Sequence, residues 1–358
     1  MTIVVNPDCD SLAETLRNLA MKITISEVAA KANVSIKTVS RVINNESGVR
    51  AATKEKVQAA MAELDYRPSQ AARSLASTQS FQVGFIYDNP NAYYIIDMQN
   101  GILDVCHKQN FELVIHPCDA RSPSIIEQVL SLVKRSNLDG LVLTPPLSEN
   151  QQLIFELQKK DIKFVRVISG KGTSEHNGQC VFLNDRAASL AITNHLIELG
   201  HKDIAFICGD AEHKSSHERF EGFQLALQQA NLKLNGDFLV DGEYSFESGV
   251  SGAKQLLGLS KRPTAIFASN DEIAAGALFA CRLEGVDIPT DISIVGFENS
   301  PFSRQTWPKL TTAAQPTISI AKSATELLLK QIRNQPTDVI IEFNPELLVR
   351  DSTSVAKG

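Results

Sequence analysis

Residues 24–44 read TISEVAAKANVSIKTVSRVIN, and this stretch decides the fold of the N-terminal part of the chain. Thr24 and Glu27, three residues apart, form a capping-box pattern. In this pattern, the side chain of each residue accepts a hydrogen bond from the backbone N–H of the other at the start of a helix. The pattern predicts a short helix over Ile25 to Ala32.

A turn and two further helices are expected after the first helix. Asn33 supplies the turn, and Ser35 can cap a second helix that runs through about Asn44. A third helix near Ala52 to Leu64 carries apolar residues at positions i, i+4 and i+7, which complete a small core. Two short helices joined by a tight turn make the helix-turn-helix unit of DNA-binding proteins.

The charge of the chain is unevenly distributed. The whole chain has a formal net charge of -6 at pH 7, but residues 21–76 hold nine basic side chains against five acidic ones, which is +4 and leaves -10 for the rest. A small basic module on a larger acidic body is expected to contact DNA phosphates locally.

The pattern changes after Phe81 to short apolar runs that alternate with helical stretches, which predicts parallel sheets built from βαβ units. The predicted strands are Val83 to Tyr87, Leu113 to His116, Gly140 to Leu143, Phe164 to Ile168, Val181 to Leu183, Ile204 to Cys208, Ala265 to Ala268 and Ile292 to Gly296. The predicted helices are Ile125 to Arg135, Ala187 to Leu199, Glu218 to Gln229 and Asp271 to Leu283. So many strands suit two adjacent α/β lobes with a cleft better than one large sheet.

Composition and motifs argue against membrane, secreted and enzymatic proteins. No apolar run approaches the roughly 20 residues of a membrane helix, and the N-terminus lacks a secretory signal, so we expect a cytoplasmic protein with no membrane partner. The six cysteines are scattered singly and are expected to be reduced structural thiols. Nucleophile-elbow, dinucleotide, phosphate-loop and zinc-protease motifs are absent, so we expect no enzyme activity, no cofactor and no metal site.

The chain resembles the LacI/GalR family of bacterial repressors. The resemblance is carried by the stretch 24–44 and by Tyr66-Arg67-Pro68, Ala72-Arg73-Ser74-Leu75, Leu199-Gly200-His201, Arg219-Phe220-Glu221-Gly222-Phe223, Ser269-Asn270-Asp271, Val295-Gly296-Phe297-Glu298-Asn299 and Pro308-Lys309-Leu310-Thr311-Thr312. It implies an N-terminal all-α helix-turn-helix headpiece and a hinge helix, followed by two α/β lobes with parallel sheets like those of periplasmic sugar-binding proteins. It also implies a dimer or a tetramer, of which we expect the homodimer, and binding to a pseudo-palindromic double-stranded operator.

We expect five segments along the chain. They are an extension of unknown role (1–20), the headpiece (21–66), the hinge helix or linker (67–80), an effector-binding and dimerisation core (81–351) and a tail (352–358).

The candidate DNA-binding residues lie in the headpiece and hinge. They are Thr24, Ser35, Ile36, Lys37, Thr38, Ser40, Arg41, Asn44, Ser69, Ala72 and Leu75. Ile36, Lys37 and Arg41 are the candidates for contacts with base edges, since the start of a recognition helix enters the major groove. In the resembling family, the leucine that matches Leu75 wedges into the minor groove. Each interpretation has a structural alternative. Leu75 can simply pack on the core, and Ile36, Lys37 and Arg41 can simply form a solvent-exposed face of the second helix.

The candidate effector-binding residues lie in the core. They are Asp88, Tyr93, Tyr94, Arg219, Tyr244, Asn270, Asp271, Glu298 and Trp307. The resemblance assigns the effector to Arg219, Asn270 and Glu298, and many family members have Asp at the last of these positions. Trp307 can stack on the ligand, but it can equally well pack between the lobes. Asp271 can instead cap the helix that follows it.

The sequence therefore predicts a transcriptional repressor of carbohydrate-utilisation genes, controlled allosterically by a sugar or glycoside bound between the lobes. Two alternatives stay open: a stand-alone sugar-binding protein of the transport type, and a regulator that responds to a non-sugar such as a nucleobase.

Overall fold

The computed structural model describes residues 23–43, 48–66, 79–89, 91–172, 179–337 and 339–357. Contacts between Cα atoms divide the chain between Ser80 and Phe81 into two compact units. No helix within these described ranges combines the length and the apolar character that crossing a membrane requires.

The described residues of the N-terminal unit form three helices: α1 (Ile25–Ala32), α2 (Ile36–Ile43) and α3 (Ala51–Glu63). The Glu27 carboxylate accepts hydrogen bonds from the backbone N and the hydroxyl of Thr24, at 2.6 and 2.9 Å, which fixes the start of α1. Asn33 ends α1 in the left-handed conformation (φ 51°), a backbone region that asparagine tolerates. These features confirm the helix-turn-helix that the sequence predicts.

A small apolar core holds the three helices together. Val28 from α1, Val39 from α2 and Val57 from α3 are fully buried, and Tyr66 closes the core after α3. Lys31 and Glu63 form an ion pair between α1 and α3 at 2.5 Å, but both side chains are exposed, so the pair adds little stability. Burial of the valines therefore stabilises this unit.

The C-terminal unit begins with the first lobe, a parallel sheet of six strands in the order β11-β5-β4-β3-β1-β2. The strands are β1 (Gln82–Tyr87), β2 (Glu112–Pro117), β3 (Gly140–Leu143), β4 (Lys163–Ser169), β5 (Cys180–Leu183) and β11 (Ile341–Phe343). The helices of this lobe are α4 (Ala92–Gln109), α5 (Ile125–Arg135), α6 (Gln151–Lys159) and α12 (Thr317–Ile332). Apolar clusters cover both faces of the sheet, α4 and α12 on one and α5 and α6 on the other.

The second lobe is a parallel sheet of four strands in the order β7-β6-β8-β9. Its strands are β6 (Ile204–Ile207), β7 (Leu239–Val240), β8 (Ala265–Ala268) and β9 (Ser293–Val295), and its helices are α7 (Asp185–Glu198), α8 (Lys214–Gln229), α9 (Phe246–Leu257) and α10 (Asp271–Leu283). A methyl group on Gly249 or Gly276 would strike the backbone of the facing helix, so these glycines permit the close packing of α9 on α10.

The chain passes between the lobes more than once. It enters the second lobe between β5 and α7, returns with α12, and adds β11 to the edge of the first sheet. A short helix α11 (Pro301–Gln305) and an antiparallel pair of strands, β10 (Thr312–Ala314) and β12 (Glu346–Leu348), complete the unit. Ser352, at the start of the expected tail, is buried, and its carbonyl accepts a hydrogen bond from the Ile294 N at 2.8 Å.

Candidate functional site

A cavity of about 550 Å³, including its open mouth, lies at the carboxyl ends of both parallel sheets. Open α/β sheets bind ligands at this end of their strands. The first lobe contributes Asn89, Asn91, Tyr94, Pro145, Val167, Ile168, Ser169 and Leu183. Asp185, His213, Ser215, Arg219, Tyr244, Asn270, Glu298 and Gln315 complete the lining.

Arg219 of α8 is the central charged group of the cavity, and its side chain is only 4% exposed. Its Nη1 donates to the Ser269 carbonyl at 2.7 Å, and its Nε lies 3.3 Å from an Asp185 carboxylate oxygen. The guanidinium also stacks on the Phe297 ring, 3.9 Å from the ring centre. These contacts fix the guanidinium in place, which prepares it to bind a polar ligand without reorganisation.

Glu298 lies opposite Arg219 on the loop after β9. Its Oε1 is 3.4 Å from Arg219 Nη1, and its Oε2 accepts a hydrogen bond from Asn91 Nδ2 at 2.9 Å. Burial raises the pKa of this carboxyl to about 7, although the Arg219 charge acts in the opposite direction. The carboxyl therefore changes charge near neutral pH.

Asn270 has two functions at the end of β8. Its Oδ1 accepts a hydrogen bond from the Ile273 N at 2.8 Å and so caps α10. Its Nδ2 is buried, lines the cavity and has no hydrogen-bond partner among the residues described. An unpaired buried amide costs free energy, and a ligand oxygen would remove that cost.

Two tyrosines form aromatic walls. The Tyr244 hydroxyl lies 2.8 Å from Ser216 Oγ and 3.2 Å from Ser215 Oγ, and the His213 ring packs edge-on against it. Tyr94, on α4, faces the cavity from the first lobe. Burial raises the pKa of both phenols, so both remain neutral at physiological pH.

Four of the predicted effector residues lie elsewhere. Asp88 accepts a hydrogen bond from the Ala120 N and lines a neighbouring pocket that shares Asn89 and His213 with the cavity. Tyr93 packs edge-on against Phe302 and is not a lining residue of the cavity. The other two positions, Asp271 and Trp307, also lie outside the cavity lining.

Asp271 and Trp307 do not line the cavity. The Asp271 carboxylate accepts hydrogen bonds from the Ser300 N and the Thr312 hydroxyl, both at 2.6 Å, so it orders the loop after β9. Trp307 is 70% exposed, and its carbonyl accepts a hydrogen bond from Arg282, so neither cavity stacking nor packing between lobes describes it. An exposed aromatic residue has no sequence signal that separates it from a ligand-stacking one.

Sequence reasoning missed Asn91 and Asp185. Both follow strands, at the edge where ligands bind, and Asn184-Asp185 repeats the pair Asn270-Asp271 that follows β8. That repeated Asn-Asp pair is the signal that could have identified Asp185 in advance. Ser169 Oγ, at the end of β4, also donates a hydrogen bond to Asp185.

The headpiece presents its candidate DNA-binding residues on α2 and before it. Ser35 Oγ accepts a hydrogen bond from the Thr38 N at 3.1 Å, and Ile36 and Lys37 are exposed at the first turn. Ser40 and Arg41 are half-buried. Asn44, Ser69, Ala72 and Leu75, with segments 1–20 and most of the hinge, lie outside the described residues.

The comparisons with known proteins agree with these two units. Residues 24–69 match the family of bacterial regulatory proteins known as the lacI family, and residues 193–353 match a periplasmic binding protein-like domain. The HTH-type transcriptional repressor PurR of Vibrio vulnificus (strain CMCP6) is 32% identical over 334 residues, which cover 92% of this chain and 98% of the relative.

Two solved structures extend the likeness. The Lac repressor dimer bound to operator and the anti-inducer ONPF is 26% identical, with a TM-score of 0.74, over 93% of this chain and 99% of that one. The transcriptional regulator CelR in complex with cellobiose is 26% identical, with a TM-score of 0.69, over 92% and 99% of the two chains. The match to a transcriptional repressor extends over nearly the full length of both chains, and the chain accordingly belongs to the lacI family of bacterial regulatory proteins, which are DNA-binding transcription regulators and not enzymes.

Proposed function

We propose that this regulator represses carbohydrate-utilisation genes and that a sugar or glycoside bound in the cavity changes its hold on operator DNA. The observation that carries the sugar class is the unpaired Asn270 amide, which lines the same cavity as Arg219 and Glu298. A sugar hydroxyl both donates and accepts hydrogen bonds, so one hydroxyl can accept from the amide and donate to the carboxylate.

The charge balance of the cavity favours a neutral ligand. Arg219 is already engaged by Asp185 and Glu298, and the other lining side chains described are amides, hydroxyls, tyrosines, one histidine and apolar groups. A phosphate or carboxylate ligand would have to compete for the guanidinium with those two carboxylates. A neutral polyol needs no such exchange.

The walls of the cavity suit a ring with one apolar face. Val167, near the end of β4, and Leu183, the last residue of β5, line the cavity together with Tyr94 and Tyr244. Sugar rings bind proteins through stacking on such surfaces while polar groups fix the hydroxyls. The solved CelR complex contains cellobiose, which is consistent with this class.

The headpiece is proposed to read DNA through α2. Ile36 and Lys37 stand exposed at the first turn of α2, where a recognition helix meets base edges, and Arg41 follows one turn later. Thr24, Ser35, Thr38 and Ser40, with Asn44 and the hinge residues Ser69 and Ala72, are proposed to contact the phosphate backbone and the minor groove. A helix-turn-helix unit has no use in a stand-alone transport protein, which argues against that alternative.

Calorimetric titration of a panel of sugars tests the effector class. We expect one sugar to bind the parent protein and to bind Asn270→Asp at least about tenfold more weakly, because aspartate keeps the cap on α10 but removes the donor. Asn235→Asp, which conserves a cap at the surface of the same lobe, is the matched control. A panel-wide blank together with binding of a nucleobase or an amino acid would overturn the sugar class.

A further inference from the structure

The hydrogen bond between Asn91 and Glu298 joins the two lobes across the cavity. Asn91 precedes α4 in the first lobe, Glu298 follows β9 in the second, and the Nδ2 to Oε2 distance is 2.9 Å. We propose that Asn91 is the positioning residue that holds this cleft closed in the free protein and keeps the Glu298 carboxylate directed at the ligand position. The proposal rests on the proposed function only for the nature of the ligand.

Asn91 cannot turn its amide away without losing the start of α4. Its Oδ1 accepts hydrogen bonds from the backbone N of Tyr93 and Tyr94, at 3.1 and 3.2 Å, so it is the N-cap of that helix. The residue is 6% exposed. Because the carbonyl half of the amide is fixed by the helix, the NH₂ half must point toward the second lobe.

Glu298 is held as firmly on the other side. Its backbone adopts φ 101°, a region that residues with a side chain rarely occupy, and its N donates to the Ala313 carbonyl at 2.9 Å. Its second carboxylate oxygen faces Arg219. A strained backbone at a ligand site persists only when surrounding contacts determine it, and the bond to Asn91 is one of those contacts.

The lobes also meet in the Ser169–Asp185 hydrogen bond, next to the crossover from β5 to α7, and in the edge-on contact of Tyr93 with Phe302. Two further polar contacts across the cleft are weaker than the Asn91 bond. Arg121 of the first lobe forms ion pairs with Asp210 and Glu212 of the second, but the Arg121 side chain is 67% exposed, so water and salt screen both pairs. The Lys214 N donates to Glu149 at a longer distance, 3.2 Å. The Asn91 bond is shorter than the Lys214 bond and is less exposed than the Arg121 pairs, so it contributes more to closure.

A ligand in the cavity can compete with the hydrogen bond between Asn91 and Glu298. A hydroxyl that enters between Asn91 and Glu298 can accept from the amide and donate to the carboxylate, in place of the direct bond. Occupancy of the cavity and separation of the lobes then change together, which is what coupling between effector and operator requires.

An exchange of the two groups tests the proposal. Asn91→Asp keeps the cap on α4 but places two carboxylates together, and Glu298→Gln leaves a single carbonyl oxygen for the two donors Asn91 and Arg219. Combining both substitutions restores a hydrogen bond in the reverse direction, while the amide carbonyl introduced at position 298 can still accept from Arg219. Asn150→Asp is the matched control, because Asn150 caps α6 in the same lobe through a bond to the Leu153 N.

Hydrogen exchange of the free, full-length proteins measures the opening, at about pH 9, where the Glu298 carboxyl is ionised and cannot donate to a carboxylate at position 91. We expect each single variant to exchange about tenfold faster than the parent in peptides 164–170 and 267–273, which border the cavity, but not in the remote peptide 125–135. The double variant and Asn150→Asp should exchange like the parent. The proposal is overturned if Asn91→Asp exchanges like the parent, or if the double variant exchanges as fast as the single ones. The measurement uses no ligand, so a blank sugar panel, which contradicts the proposed function, leaves this test decisive.

Discussion

The Asp185 carboxylate lies 3.3 Å from Arg219 Nε, and the two side chains are 1% and 4% exposed. Asp185 begins α7 just after a strand of the first lobe, whereas Arg219 lies in the middle of α8. The pair therefore fixes the guanidinium next to the cavity, at the carboxyl ends of the two sheets. We expect it to stabilise the core and to hold the guanidinium ready for the ligand.

Removal of the Asp185 carboxylate is expected to destabilise the core strongly. Asp185→Ala leaves a buried guanidinium with fewer partners, and breaking such a pair costs about 3 to 5 kcal/mol. Urea unfolding of the core should show this loss. Glu212→Ala is the control, because that residue belongs to an exposed ion pair and should cost less than about 1 kcal/mol. Equal effects of the two substitutions would contradict the account of Arg219.

Stability of the core is expected to fall as pH rises from about 5 to 8. Burial raises the pKa of Glu298 and of Asp271 to about 7, above their usual values of 4.5 and 3.8. At pH values between the unfolded-state and folded-state pKa, the folded protein binds more protons than the unfolded chain. The two carboxyls therefore stabilise the fold fully below the unfolded-state pKa, and this stabilisation is lost as pH rises through about 7.

Glu298→Gln should make that loss smaller, because one of the two titrating groups is gone. The measurement is the unfolding free energy as a function of pH for both proteins, with Asp161→Asn, at a largely exposed side chain, as the control. A Glu298→Gln curve that is parallel to the parent curve would exclude Glu298 as a group that titrates near neutrality.

Arg41 is expected to read one base pair of the operator. Arg41→Ala should weaken operator binding by about 1 to 3 kcal/mol and relax the preference at one position in each half-site, since arginine can donate to two guanine acceptors. Binding to a library of operator variants gives both quantities. A uniform loss for every sequence would make Arg41 a phosphate contact instead.

Leu75 is expected to act through bending of the operator. Apolar side chains that wedge into the minor groove unstack a base step and kink the duplex. Leu75→Ala should keep the fold and effector binding, lose most operator affinity and lose the bend seen in circular-permutation gel shifts. A variant that binds and bends like the parent shows that Leu75 only packs against protein.

Much of the fold was predictable because its apolar runs are short and uninterrupted. The predicted bounds of Gly140–Leu143, Ala265–Ala268, Ile125–Arg135 and Asp271–Leu283 agree with the structure. The helix α4 was not predicted, since polar residues and a glycine break its apolar pattern. β11 was missed because its pairing partner, β5, lies far away in the sequence, and no local pattern encodes that contact.

The candidate site was predictable only in part, and for a similar reason. Arg219, Asn270 and Glu298 follow from the resemblance to a known family, and all three line the cavity. Asn91 owes its position to the geometry of the cleft, because its partner lies at a sequence separation of 207 residues. Trp307 looked like a stacking residue by type alone, and the structure places it at the surface.

We expect a sugar in the cavity and operator DNA on the headpiece to change each other's binding affinity. Linkage requires the sugar to change operator affinity by the same factor by which operator changes sugar affinity, typically about 5- to 150-fold. The most direct measurement is a pair of titrations, operator with and without saturating sugar and sugar with and without saturating operator. For the parent protein we expect two equal factors that differ from one. A sugar that binds in the cavity while both factors equal one would show that the two sites are not coupled.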